Sequence, residues 1–192
     1  MNHETPQSLF ETVGQYLLPD GFGVDVDQEY SGYFRNFEGE HLTALLCVGI
    51  EEGDDPGVVV SAIPQIEVPP QSRCNIAELF TRINNVWGSG RFSLNMDNGN
   101  IRFVLGLHLM DGMLTQLMLE RMIDVAWDAA ETFTPLTLEV LNGRSPSISE
   151  DQIKRVWMED SESSKPYLVS SNDAPDTPKD SSKKAVLSAV LA

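Results

Sequence analysis

Residues 91–109 read RFSLNMDNGNIRFVLGLHL and carry the clearest structural pattern in the chain. Apolar residues occupy every second position on both sides of Asn98-Gly99: Phe92, Leu94 and Met96 before it, and Ile101, Phe103, Leu105, Leu107 and Leu109 after it. Such alternation predicts half-buried strands, and an Asn-Gly pair between two of them predicts a hairpin with a type I′ turn. The sequence therefore predicts a β-hairpin in the second half of the domain.

Four further strands are predicted upstream of the hairpin, at 22–26, 30–37, 41–50 and 58–63. Only short turns, such as the one at 53–57, separate them. Parallel strands need a crossover of about a dozen residues or more, so short turns between consecutive strands indicate an antiparallel meander. We therefore expect an antiparallel sheet.

Three helices are predicted around these strands. The first has Thr5 as N-cap and Pro6 at its first position, the second carries an apolar stripe that ends at Trp87, and the third runs from about residue 112 to Phe133, where Pro135 stops it. The predicted order is α-β-β-β-β-α-β-β-α. This order predicts a single α+β domain over residues 5–142, an antiparallel sheet packed by helices.

The third helix has an apolar arc wider than a surface helix needs. One part is expected to face the sheet: Leu114, Met118, Met122, Val125 and Ala129. Leu119, Ile123 and Trp127 form a second stripe at four-residue spacing beside an acidic face. We predict that this stripe contacts a partner chain or a second protomer, because aromatic anchors beside charge are where binding energy concentrates. The alternative is that the whole helix is well buried.

Residues 143–192 are predicted to form a flexible, mostly disordered tail. Ser, Pro, Asp and Lys dominate 161–182, a composition with too few apolar residues to offset the entropy of ordering. One short helix at 149–158 is compatible with the pattern. An alternative function follows from the tail, namely an adaptor whose disordered tail carries the recognition sequence.

The chain of 192 residues has 13 basic and 29 acidic side chains, a net charge of −16. Residues 1–142 contain 6 arginines, no lysine and 21 acidic residues, a net of −15. A surface this negative repels phosphate backbones and anionic headgroups, so nucleic acid and membranes are poor partners. No signal-peptide pattern and no membrane-length apolar run is evident, so we expect a cytoplasmic protein.

Catalytic chemistry has little support in the sequence. His3, His41 and His108 are scattered, and Cys47 and Cys74 lack metal-ligand spacing. The acidic stretches at 25–29 and 51–55 leave weak divalent-cation binding as a lesser alternative, although the first lacks the glycine of an EF-hand loop. We therefore expect no enzymatic activity, no metal site and no cofactor.

A group of patterned positions resembles the YbjN family of bacterial proteins. These positions are Glu67-Val68-Pro69, Arg73, Glu78-Leu79, Arg82-Ile83-Asn84, Gly90-Arg91-Phe92, the turn at 97–99 and Phe103. The resemblance covers about 5–133 and implies a type III secretion chaperone-like fold. It also implies a regulatory role in sensory or signal transduction, or polypeptide binding as a homodimer, and it transfers no catalytic residue. Together these patterns predict a non-enzymatic protein-binding module.

Overall fold

A computed structural model describes residues 5–26, 31–51, 53, 56–110 and 112–161. It has four α-helices, six strands and two short 3₁₀ turns. The helices are α1 (Pro6–Leu17), α2 (Arg73–Val86), α3 (Gln116–Leu141) and α4 (Glu150–Ser161), and the strands are β1 (Gly23–Val26), β2 (Ser31–Glu38), β3 (Thr43–Glu51), β4 (Gly57–Pro64), β5 (Arg91–Leu94) and β6 (Ile101–His108). The α+β class and the predicted order are confirmed, with α4 added at the end.

The six strands form one sheet in the order β1-β2-β3-β4-β6-β5, and every neighbouring pair is antiparallel. β1 to β4 form the predicted meander. The β5–β6 hairpin then joins at the far side, with β6 beside β4 and β5 at the edge. The predicted antiparallel sheet is thus confirmed, and β3 and β4 lie at its centre.

α1, α2 and α3 pack on one face of this sheet, and α4 packs on α2 and α3. The Thr5 side chain caps α1, and Tyr33 of β2 stacks on Phe10 at 4.8 Å between ring centroids and donates a hydrogen bond to its carbonyl. On the other side of the sheet's centre, Phe103 and Phe133 are fully buried where β6 meets α3. Each aromatic contact removes a large apolar surface from water, so this face forms the core.

The hairpin turn differs from the predicted type I′ turn. Six residues, 95–100, separate the strands, and Asn98 does not have the positive φ that a type I′ turn requires. Instead the Asn95 side chain accepts hydrogen bonds from the amides of Asp97 and Asn98. Gly99, at φ +81°, lies where a Cβ would come within 2.2 Å of the Val68 carbonyl oxygen. Contact with the segment before α2 therefore sets the turn.

The third helix continues through Pro135 to Leu141, so the predicted stop at Phe133 is wrong. Proline removes one backbone hydrogen bond and usually breaks a helix. Here Leu136 and Val140 beyond the proline are buried, which stabilises the continued turns through packing. The helix also begins later than predicted, with Thr115 as N-cap, and Met118 is 37% exposed rather than facing the sheet.

Packing extends past residue 142, where the sequence analysis places the domain boundary. Ile148 and Ile153 are buried, and the rings of Trp157 and Trp87 meet edge to face at 4.2 Å. The predicted short helix at 149–158 coincides with α4 except at Ser149, which precedes the first helical residue. Residues 162–192, the remainder of the predicted tail, lie outside the described residues. No helix among the described residues is long and apolar enough to cross a membrane.

Candidate functional site

The sheet face opposite the helices carries large apolar side chains. Because side chains alternate along a strand, the neighbours of core residues such as Leu46 and Phe103 point to this second face. Five of them are partly exposed and stand outside the core cluster: Phe34, Leu45, Val59, Ile63 and Val104. We refer to the surface that these five residues form as the open face.

Glycines make the middle of the open face flat. Gly32, Gly49, Val59 and Gly106 are aligned across β2, β3, β4 and β6. A Cβ placed on Gly49 would meet no atom within 4 Å, and one on Gly106 would meet only a Val59 methyl group at 3.8 Å. Val59 therefore stands between two glycine positions, and no described residue covers this part of the sheet.

Small residues fill the row beside it. Cys47 of β3 is paired with Ser61 of β4, and they are 5% and 2% exposed. Both are therefore buried, although no helix of the described part of the chain lies on this face. Burial raises the pKa of the Cys47 thiol to about 12, so this thiol stays protonated at neutral pH. Cys74, by contrast, is exposed on α2.

Two of the arginines lie together at one corner of the open face. Arg102 of β6 pairs with Ser93 of β5 and donates a hydrogen bond to its hydroxyl at 3.0 Å, and Arg91 lies on the same strand as Ser93. Desolvation, and then the neighbouring Arg91 charge, lower the pKa of the Arg102 guanidinium. Positive charge is thus concentrated at this corner of a strongly acidic domain.

The edge of the sheet at β5 is closed. The Asn84 side chain of α2 accepts a hydrogen bond from the Phe92 amide at 2.8 Å and donates one to the Phe92 carbonyl at 2.9 Å. These are the backbone groups that an added strand would use. The β5 edge therefore offers a partner little opportunity for strand addition.

The stripe predicted to contact a partner lies largely within the packed structure. Leu119 is 1% exposed, which corrects the prediction at that position, because a core residue has no surface to offer. Ile123 and Trp127 are half-buried and pack on the core, with the Trp127 ring 5.5 Å from that of Phe37. A contact role for Ile123 and Trp127 stays a prediction.

A second group of exposed apolar side chains lies where β6 leads into α3. Met110, Met113 and Leu117 are 69%, 70% and 63% exposed. They follow one another along a connecting segment and the first turn of a helix. These three side chains are individually more exposed than the five of the open face, but they lie along a connecting segment and a helix end rather than across neighbouring strands. They provide a matched surface for control substitutions.

Polar side chains cluster around a cavity of about 310 Å³ between α3, α4 and the β2–β3 turn. His41, Thr132, Glu139 and Arg144 are among its lining residues, and Arg144 pairs with Glu139. The Glu131 carboxylate lies nearby and accepts a hydrogen bond from the His41 amide at 2.7 Å.

The other candidate ligands are dispersed. The Nε2 atom of His108 lies 3.6 Å from a Glu51 carboxylate oxygen at the rim of the sheet. Among the described residues there is no group of three or more side chains that could hold a metal ion. The acidic stretches at 25–29 and 51–55 lie partly outside the described residues.

No family model matches the sequence, and no curated protein matches it. The structure is similar to that of an uncharacterized protein from Methanothermobacter thermautotrophicus, with 14% identity, a TM-score of 0.48, and coverage of 67% of this chain and 96% of that chain. It is also similar to the crystal structure of YbjN, a proposed transcription regulator from E. coli, with 19% identity, a TM-score of 0.45, and coverage of 69% and 88% of the two chains. The resemblance to YbjN drawn from the sequence is thus found again between the structures.

Proposed function

We propose that this protein is a non-enzymatic binding module, regulatory or chaperone-like, and that the open face binds another polypeptide. One observation supports the proposal above the others: five large apolar side chains stand on a sheet face that no described helix covers. These side chains are partly exposed, and apolar side chains that cluster on an uncovered part of a surface commonly mark an interaction site.

The mode of binding follows from the edge geometry. Asn84 already satisfies the outward backbone groups of Phe92 on the β5 edge. A partner would instead pack side chains against the face, where glycines allow close approach. Such an interface gains its free energy mainly from apolar burial, at about 25 cal/mol per Å² before the costs of association are counted.

Charge narrows the class of partner. With a net charge of −16 on the chain, a nucleic-acid backbone would be repelled, whereas an apolar polypeptide surface would not. The arginine corner adds a point of electrostatic recognition at the margin of an apolar surface. Charges at an interface margin mainly set orientation and specificity.

Site-specific photo-crosslinking tests this proposal. A photoreactive residue replaces Val59 on the open face, and a matched variant carries it in place of the exposed Leu117 on α3. In the native cells the Val59 variant should form a defined covalent adduct with another polypeptide, and the Leu117 variant should not form that adduct. An absence of adducts at Val59, or the same adducts at both positions, would refute the binding role of the face.

The adaptor alternative rests on residues 162–192, which lie outside the described part of the chain. It predicts a different result in the same experiment. A partner that is held by the tail alone would not react with a group at position 59. Deleting 162–192 would then remove the partner, whereas on our proposal the Val59 adduct persists after this deletion.

A further inference from the structure

The chain beyond α4 contains one strongly apolar stretch. Residues 185–192 read AVLSAVLA, and seven of these eight residues are apolar. Residues 162–184 before it are mainly polar, and their only consecutive apolar residues are Tyr167, Leu168 and Val169. Burial of an apolar stretch is favourable because it removes the side chains from water. The stretch at 185–192 therefore favours contact with an apolar surface.

We infer that residues 183–192 dock on the open face of their own chain and compete there with the partner polypeptide. This inference rests on the proposed function, because it describes what regulates access to the same site. Val59 stands in the middle of that face, between Gly49 of β3 and Gly106 of β6. A Cβ on Gly49 would meet no atom within 4 Å, so the glycines leave room for a chain to approach the sheet closely. The face thus offers the apolar surface that 185–192 favours.

The length of the connecting chain allows this docking. α4 ends at Ser161 and packs on α2 and α3, which lie on the opposite side of the sheet from the open face. A domain of about 150 residues has a radius of gyration of about 15 Å, which corresponds to a diameter of about 40 Å. The 21 residues 162–182 extend to about 70 Å at most, enough to pass the edge of the sheet. The shorter apolar run at 167–169 lies within eight residues of Ser161, a reach of only about 26 Å.

Charge favours the same arrangement. Residues 179–184, which lead into the apolar stretch, contain three lysines and one aspartate, whereas residues 1–142 contain no lysine and have a net charge of −15. Glu51 follows Gly49 by two positions on β3, so it lies on the same face, and its side chain is 54% exposed. Lysines at 183 and 184 are therefore attracted to the rim of the open face. This attraction adds to the apolar contact and weakens as salt screens it.

A weak intrinsic affinity is sufficient for a tethered segment. A linker that spans the two sites gives the segment an effective concentration on the order of 1 mM. A dissociation constant of about 0.5 mM then keeps the face occupied about two thirds of the time. The apparent affinity of a partner falls by the fraction of chains whose face is uncovered, here about threefold. The segment therefore excludes weak partners and yields to a partner that binds more tightly.

Intrachain photo-crosslinking in the purified full chain tests the docking. A photoreactive residue replaces Val59, and the protein is irradiated in dilute solution. Trypsin cuts after Lys184 and so releases 185–192, whereas position 59 is carried by the fragment 36–73. We expect mass spectrometry to find these two fragments joined. In an equal mixture of isotopically labelled and unlabelled chains, both fragments of each adduct should carry the same isotope, because the docking is intramolecular.

Matched variants identify the docking segment. Leu187→Asp/Leu191→Asp should lower the yield of the intrachain adduct about tenfold or more, because charges would enter an apolar contact. Leu168→Asp/Val169→Asp places the same charges in the shorter apolar run and should leave the yield unchanged. An adduct between 36–73 and the tryptic fragment 156–179, or an adduct of mixed isotope, would overturn the inference.

Deletion of 183–192 tests the competition in the native cells. The adduct between position 59 and the partner should increase about two- to threefold, since the partner no longer has to displace the segment. An unchanged yield of that adduct would overturn the inference. A purified chain that forms no intrachain adduct, while position 59 still reacts with the partner in cells, would overturn the docking alone and leave the proposed binding role intact.

Discussion

The indole rings of Trp87 and Trp157 meet edge to face, 4.2 Å apart, and join α4 to the end of α2. Trp87 also makes edge contacts with Phe103 and Phe133, so α4 is connected through one side chain to the centre of the core. The domain therefore includes residues beyond 142, and its stability depends on them.

Truncation after residue 142 should destabilise the domain. It removes the buried Ile148 and Ile153 and exposes Trp87, a loss of about 4 kcal/mol at 1.5–3 kcal/mol per buried aliphatic side chain. The melting temperature should fall by about 10 °C or more, as measured by circular dichroism. Truncation after residue 161 is the control and should change the melting temperature by only a few degrees. Equal melting temperatures for the two truncated chains would show that α4 contributes nothing.

Trp127→Ala should cost folding stability. The ring packs beside Phe37 and over Gly39, where a Cβ would come within 2.7 Å of a Trp127 ring carbon. For a half-buried tryptophan we expect a loss of about 2–3 kcal/mol, somewhat below the 3–5 kcal/mol of a fully buried one. Leu117→Ala, at an exposed position, should cost less than about 0.5 kcal/mol. Urea unfolding measures the free energy of unfolding of both variants. A stable Trp127→Ala variant that loses its partner would instead support the contact stripe predicted from the sequence.

Asn84→Ala should destabilise the β5 edge. Both backbone groups of Phe92 would lose their partner, at about 1–3 kcal/mol in total. The uncovered edge should also increase aggregation on heating, because unpaired strand edges pair with other chains. Asn85→Ala, at the adjacent exposed position of α2, is the matched control and should behave as wild type in urea unfolding and light scattering. If the two variants were equally stable, the Asn84 hydrogen bonds would have no structural role.

Alkaline pH should destabilise the protein through Cys47. Its pKa is raised by burial to about 12, against 9.0 for a free thiol, so between these values the folded state holds a proton that the unfolded state has lost. Stability should therefore fall by up to ~1.4 kcal/mol per pH unit as the pH rises above 9. The pKa of Tyr33 is also raised, by burial and then by Glu11, so this residue also makes stability fall at alkaline pH. The Cys47→Ala variant is therefore the comparison that isolates the contribution of the thiol. Urea unfolding at pH 8, 9 and 10 should give a shallower slope for that variant, and parallel slopes would contradict the burial of the thiol.

The pattern of alternating residues was sufficient to predict the strands, their antiparallel order and the hairpin. It could not predict the end of α3, because Pro135 is a helix breaker locally and only the burial of Leu136 and Val140 keeps the helix intact. The turn at 95–100 escaped prediction for a related reason, since Val68, far away in sequence, determines the conformation of Gly99. Tertiary contacts outweigh local preference at both places.

The open face was missed because each strand was interpreted alone. In β4, the run GVVVSAIP is apolar on both sides, a pattern that is compatible with burial between two layers as well as with one exposed face. Only the register aligns Gly32, Gly49, Val59 and Gly106 in one row, and only the placement of the helices shows which face stays uncovered. The glycines inside these strands were the indication of this face that the sequence contained, because glycine within a strand often marks close approach of another chain or ligand.

Cysteine accessibility at position 59 tests the central claim most directly. A Val59→Cys/Cys74→Ser chain carries a thiol on the open face, with the native Cys47 buried, and a Leu117→Cys/Cys74→Ser chain is the reference. Maleimide labelling rates are compared in intact native cells and in dilute purified protein. We expect the thiol at 59 to react at least tenfold more slowly in cells, while the thiol at 117 reacts at the same rate in both. Equal rates for the thiol at 59 in the two settings would contradict the account, because an uncovered face in the cell has no bound partner.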